Sequence, residues 1–285
     1  MRLDKSRESR NIEDRRGRRV QLGGRGKIGI GSIVLALVAI YFGVDPAVVL
    51  QNLGEPTSSS AYDTSTDATR QTPEVQFVSR VLGDTEDTWH ALFSEYRLGT
   101  YREPKLVLYN GATPSACGMG QAAMGPFYCP GDASVYLDLS FFQQLERDLS
   151  SPGDFAQAYV IAHEVAHHVQ NQLGVMDQVA QTRSRMNSTQ ANALSVRVEL
   201  QADCFSGVWA HHSDSQRGTL EPGDIEEGLN AAAAIGDDRL QKRSQGYVVP
   251  DSFTHGSSAQ RVRWFTMGYE TGDPRRCDTF SANQL

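Results

Sequence analysis

Apolar and polar positions are spread very unevenly along the chain. From Ile28 to Val44 the sequence reads IGIGSIVLALVAIYFGV, 17 residues without a charge. A helix of that length, rising about 1.5 Å per residue, reaches roughly 25 Å, short but usable for a bilayer core of about 30 Å. Gln51 to Pro73 is the opposite: rich in Ser, Thr, Asp and Pro, with almost nothing apolar. Such a stretch cannot offset the entropy lost on ordering and predicts a flexible linker. Beyond it, Val75, Phe77, Val78, Val81, Leu82, Trp89, Leu92 and Phe93 recur at helical spacing over residues 74–96, interrupted at Gly83. KLVLY (Lys105 to Tyr109) and SVYLDL (Ser134 to Leu139) are short and rich in β-branched or aromatic residues, which predicts strands. Residues 154–173 predict the strongest helix, with Asp154 as cap, Gln157 at the capping-box position and Gly174 as stop. Further helices are expected over about 188–211, 223–235 and 257–269. Two strands among several helices read as an α+β fold, and no repeat is visible.

Charge alters the picture at the start of the chain. A formal net charge of −7 over 285 residues excludes a globally basic nucleic-acid binder. Residues 1–27 nevertheless hold ten Lys or Arg against four Asp or Glu, +6, leaving −13 for the remainder. Under the positive-inside rule a basic run before an apolar one stays in the cytoplasm. The expected organisation is a basic cytoplasmic segment at 1–27, a transmembrane anchor at 28–50, a flexible linker at 51–73 and a folded domain at 74–285. That makes a single-pass protein of the bacterial inner membrane with its domain periplasmic or extracellular. A cleaved signal peptide fits less well, because no Ala-x-Ala follows the apolar run, and a buried core helix would not need the one-sided charge step.

The chemistry lies in the strongest predicted helix, which contains His163-Glu164-Val165-Ala166-His167. Histidines four residues apart share a helix face, so both rings can reach one ion at about 2.0 to 2.1 Å. Glu164 is then placed beside the metal, where a carboxylate can take a proton from the attacking water, as in zinc peptidases. A catalytic zinc needs a third protein ligand. Gln170 and Leu173 stand where metzincins carry Gly and His, which excludes that class. A carboxylate from a second helix is the other common solution, and Glu199-Leu200-Gln201-Ala202-Asp203 offers one among apolar neighbours. Glu199 would bind the ion, and Asp203 would accept a hydrogen bond from the far nitrogen of a ligand histidine, His163 being the expected partner.

These motifs carry a resemblance. His163-Glu164-x-x-His167 with Glu199-x-x-Ala202-Asp203 resembles the gluzincin group of zinc peptidases. AHEVAHHVQ with ELQADC closely resembles a bacterial family of predicted neutral zinc metallopeptidases. The similarity runs from about residue 116 to 280, through CGMG, GPFYCP, VYLDLSFF, IGDDRLQ and FTHGSSAQR. It implies a gluzincin-like metallopeptidase domain with an active-site helix, a glutamate helix and a small sheet, on a membrane anchor. Its cofactor would be one Zn2+ per chain and its partner a peptide or protein substrate, with internal cleavage as the default. The segment around His255 and Arg261 is similar to the His-Pro-x-x-x-x-Arg element of membrane-associated gluzincins, with Gly256 in place of Pro. His255 is the candidate donor to the oxyanion, and Arg261 either holds a substrate carboxylate or structures the loop. By analogy with gluzincins, the strand at Val135 to Leu139 is expected as the edge on which a peptide pairs.

Among the other histidines, His168 points about 100° away from its neighbour, which suits packing. His211 and His212 are expected at a helix end, and His90 has no companion motif. Cys117, Cys129, Cys204 and Cys277 form no Cys-x-x-Cys pair, so a thiolate zinc site is not expected. Export makes two disulfides reasonable. Proximity favours Cys117 with Cys129, leaving Cys204 with Cys277, although three pairings are possible. The rival to an enzyme is an envelope protein that uses zinc to hold its fold, or that binds peptide without cutting it.

Overall fold

The computed structural model describes residues 1–17, 72–122 and 125–285. The expected anchor at 28–50 and all but the end of the expected linker at 51–73 lie outside the described residues. No helix among the described residues is long and apolar enough to cross a membrane.

The elements run β1 (Ile12–Asp14), α1 (Pro73–Glu95), β2 (Lys105–Tyr109), β3 (Ala112–Ser115), β4 (Gly118–Gln121), β5 (Phe127–Cys129) and β6 (Ser134–Asp138). They continue through α2 (Ser140–Arg147), α3 (Asp154–Gln172), α4 (Val175–Arg183), α5 (Ser188–Arg217), α6 (Asp224–Ala234), α7 (Asp237–Gln245) and α8 (Ser258–Thr271). The fold is α+β. One sheet has the order β1-β2-β6-β5, and β3-β4 form a separate hairpin. β1, β2 and β6 are parallel, with Leu106 opposite Val135 and Leu108 opposite Leu137, and β5 pairs antiparallel to β6. Those four residues face the main core, while Val107, Tyr109 and Tyr136 pack with Cys129 on the other face, as the period-2 alternation of a strand requires.

The first 17 residues change the domain boundary. The sequence places them in a segment apart, yet Met1–Arg18 and Arg70–Leu285 form one compact unit. The middle of α1 explains why. Asp84, Thr85, Glu86 and Thr88 are fully buried there, and buried polar groups need partners. Ser6 donates to Asp84 at 2.8 Å, Ser9 and Asn11 donate to Glu86 at 2.6 and 2.8 Å, and Arg7 pairs with Glu86 at 2.8 Å. Gly83, read as an interruption, lies inside the continuous helix α1. A Cβ there would stand 2.3 Å from the Arg7 carbonyl oxygen, so the glycine is what lets the N-terminal segment cross. Residues 1–17 thus pack as part of the folded domain, whereas the sequence set them apart in a basic segment at 1–27.

The long helices match the hydrophobic pattern more closely than their caps do. α3 starts after Gly153, whose φ is +116°, and Asp154 makes no capping bond. Asp154 pairs instead with the Met1 amino group, and Glu227 accepts from the Phe155 N–H at 3.1 Å. α5 is capped by an Asn187–Gln190 box and α8 by a Ser257–Gln260 box. α5 and α8 meet backbone to backbone. A Cβ on Gly207 would stand 2.1 Å from the Phe265 carbonyl oxygen, and one on Gly268 would stand 1.9 Å from that of Cys204. Close approach at two glycines sets the residues one and two turns earlier, Asp203 and Arg261, against each other. Disulfides join Cys117 to Cys129 and Cys204 to Cys277, with Cα separations of 5.8 and 5.6 Å.

Candidate active site

α3 and α5 bring His163, His167 and Glu199 to one point. His163 Nε2 stands 3.2 Å from one Glu199 oxygen, and His167 Nε2 stands 3.5 Å from the other. Two ligands at about 2.05 Å from a tetrahedral ion are about 3.3 Å apart, so these separations fit a single zinc. Electrostatics favour a cation at the same place. Burial opposes charge on the His163 ring, but Asp203 and Glu199 outweigh it and push its pKa up to about 9. Burial also works to raise the Glu199 carboxyl, yet the neighbouring imidazoles hold it well below the usual carboxylate range.

Each imidazole is held from behind. His163 Nδ1 lies 2.9 Å from Asp203, the expected partner, and His167 Nδ1 lies 2.8 Å from the Gln170 side-chain oxygen. Asp203 is fully buried and meets three side chains through four hydrogen bonds. It accepts from His163, from Tyr159 at 2.5 Å, and from Arg261 through two bonds of 2.8 Å. Burial would raise its pKa, but Arg261 and His163 lower it. Arg261 is 2% exposed and its charge is met by Asp203. Of the two expected roles, a structuring one is what this geometry provides, though between the helices rather than in a loop.

A cleft of about 680 Å³ takes in His163, Glu164, His167, Glu199, His255 and Arg261, with Phe141, Val160, Val198, Ile235 and Leu240 among its apolar walls. Glu164 is 8% exposed, and burial raises its pKa. His255 stands at the edge with its side chain 49% exposed. Its Nδ1 meets Asp237 at 3.2 Å, while the other Asp237 oxygen accepts from the N–H groups of Thr254, His255 and Gly256. Burial lowers the His255 pKa, and the Asp237 and Glu199 carboxylates more than reverse that.

The edge strand differs from expectation. β6, which covers Val135 to Asp138, is central and paired on both sides, whereas β5 ends the sheet and its Phe127 and Tyr128 line the cleft. The remaining histidines stay outside the site. His168 bonds Tyr128 and the Arg102 carbonyl, His211 and His212 bond the carbonyls of Tyr269 and Gly272, and His90 pairs with Glu103. α5 runs on to Arg217, so His211 and His212 precede its end.

Sequence reasoning did not single out Tyr159, Gln170, Gln201 or Asp237. Tyr159 is four residues before His163 and Gln170 three after His167, so helical spacing carried a signal for both. Asp237 carries none, since only the fold brings it to His255.

This geometry can be set beside known proteins. Residues 1–280 match the model of a family described as "Putative neutral zinc metallopeptidase". The chain belongs to that family. As a metallopeptidase-family member it is 50% identical over 289 residues to "Uncharacterized protein YpfJ" of Escherichia coli (strain K12), covering 98% of this chain and 99% of that protein. It is also 42% identical over 266 residues to "Uncharacterized protein Rv2575" of Mycobacterium tuberculosis (strain ATCC 25618 / H37Rv), covering 87% and 86%. No solved structure matches the chain. The metallopeptidase family implies zinc as the metal and peptides or proteins as the substrate class, and the His163, His167 and Glu199 donors suit that ion.

Proposed function

We propose that the chain is a zinc-dependent peptidase in which His163, His167 and Glu199 hold one ion and Glu164 is the general base. The observation that carries this reading is the convergence of both Nε2 atoms on the Glu199 oxygens at 3.2 and 3.5 Å, with Glu164 entering the same cleft. When bound, zinc supplies a Lewis acid that polarises the scissile carbonyl and lowers the pKa of water towards about 7. Glu164 takes the proton of the attacking water, a step that a raised carboxyl pKa favours, and passes it to the leaving amine. His255, aimed by Asp237, donates to the developing oxyanion. An extended peptide pairs its backbone with the outer edge of β5, and internal cleavage is the expected mode.

A zinc that only held the fold would use four protein ligands, and the cluster at this site among the described residues supplies three. The two disulfides favour an oxidising compartment. We place the domain there and, because β1 pairs with β2, residues 1–17 with it; one crossing of the bilayer at 28–50 would separate the two, so that run is not proposed as a single-pass anchor. The test is turnover of a peptide library by the full zinc-loaded chain and by its Glu164→Gln form. The variant should keep its zinc and lose several orders of magnitude in rate. Equal turnover would remove Glu164 from the mechanism.

A further inference from the structure

The two imidazoles of the site are supported in chemically different ways. His163 leans on a carboxylate, Asp203. His167 leans on an amide, Gln170, which is fully buried. An amide can present either an acceptor or a donor to a ring nitrogen, so something must fix its direction. Two further bonds do so. The Gln170 amide nitrogen donates to the Val198 carbonyl at 2.8 Å and to the Gln201 side-chain oxygen at 3.1 Å. Gln201 is fixed in turn, because its amide nitrogen donates to the Cys277 carbonyl at 3.0 Å. Backbone carbonyls only accept, so each amide has one orientation that satisfies all its bonds. Both oxygens then point inward, Gln201 towards Gln170 and Gln170 towards His167.

We propose that Gln170 is the positioning residue for His167. Gln201 and the Cys277 carbonyl complete a directional relay that keeps the His167 proton on Nδ1 and its lone pair on Nε2, facing Glu199. The far end of the relay is anchored, since Cys277 is tied to Cys204, three residues after Gln201 on α5. The C-terminal segment thereby helps set a ring nitrogen of the metal site without adding charge to it. The inference rests on the reading of His167 Nε2 as a zinc ligand.

The test combines zinc affinity, measured by competition with a chelator on the full chain, with nitrogen-15 spectra of the histidines in metal-free protein at alkaline pH. Gln170→Leu should weaken zinc binding by about tenfold to a hundredfold, the usual cost of losing such a support. Gln201→Leu should weaken it less, and Gln170→Glu, which keeps an acceptor at Nδ1–H but sets its second oxygen against the Val198 carbonyl and the Gln201 oxygen, should lose less than Gln170→Leu. The spectra should show His167 protonated on Nδ1 in the parent and in Gln170→Glu, and a mixture in Gln170→Leu. Equal losses in the Leu and Glu forms, or no loss in the Leu form, would overturn the relay. So would a parent His167 protonated on Nε2, a readout that needs no variant to fold. A parent that binds zinc and cuts no peptide would instead defeat the peptidase reading and leave the affinity order intact.

Discussion

On the floor of the cleft, His163 is 6% exposed and backed by Asp203, which is fully buried and gripped twice by Arg261. At the edge, the His255 side chain is 49% exposed and leans on one carboxylate, Asp237. The floor is a closed ionic network between three helices, and removing any member leaves a buried charge without its partner. The edge is one half-exposed ring met by Asp237 and the Thr254 hydroxyl near solvent, where screening makes such ion pairs weak contributors to stability. On the proposed mechanism this division is sensible. The ion must be held in fixed geometry, while the oxyanion donor need only be aimed.

Substitutions can break this contrast. The largest effect on stability should come from Asp203→Ala, which strands Arg261 in the interior; loss of one partner of a buried pair costs about 3–5 kcal/mol. A denaturant melt of metal-free protein should register that loss, together with weaker zinc binding. His255→Phe should lower turnover by about a hundredfold to a thousandfold, the usual cost of an oxyanion donor. The melt and the zinc content should hardly change, and a large loss of stability there would erase the distinction between floor and edge.

Gly268→Ala tests how the floor is assembled. Its added methyl group meets the Cys204 carbonyl and must push α8 off α5, at about 1–3 kcal/mol for overpacking, with zinc affinity falling because Arg261 leaves Asp203. An Ala form that melts and binds zinc like the parent would mean the crossing does not set that pair. The smallest effect is on pH dependence. His255 donates only while protonated, and Asp237 and Glu199 raise its pKa above the usual 6.5 despite burial. Turnover should therefore fall on the alkaline side at a pH above that value, and Asp237→Asn should move the fall downward. An unmoved limb would remove His255 as its source.

Much of the floor could be read from the sequence, because its residues lie one turn apart on two helices and apolar periodicity marks those helices. Asp203 behind His163 followed from the same spacing. The edge was less legible, since Asp237 and His255 lie on different elements and only the fold joins them. The edge role expected of β6 rested on the gluzincin analogy, because a short apolar strand itself carries no mark of which neighbours pair with it. The N-terminal boundary was misread for a physical reason too. Ser6, Arg7, Ser9 and Asn11 look like a solvated basic stretch until the buried acids of α1 are placed opposite them. That placement is testable in a membrane preparation with thiols introduced one at a time by Lys5→Cys and Lys242→Cys, both exposed positions. An impermeant reagent should label both from the same side, and labelling from opposite sides would contradict the pairing of β1 with β2.

The central claim is that two imidazoles and one carboxylate converge on a single ion, and zinc K-edge absorption of the purified full chain tests it most directly. The account predicts one zinc per chain, with two imidazole nitrogens and otherwise oxygen at about 2.0–2.1 Å, and collapse of that shell in Glu199→Ala. Sulfur in the shell, or an unchanged shell in Glu199→Ala, would contradict it.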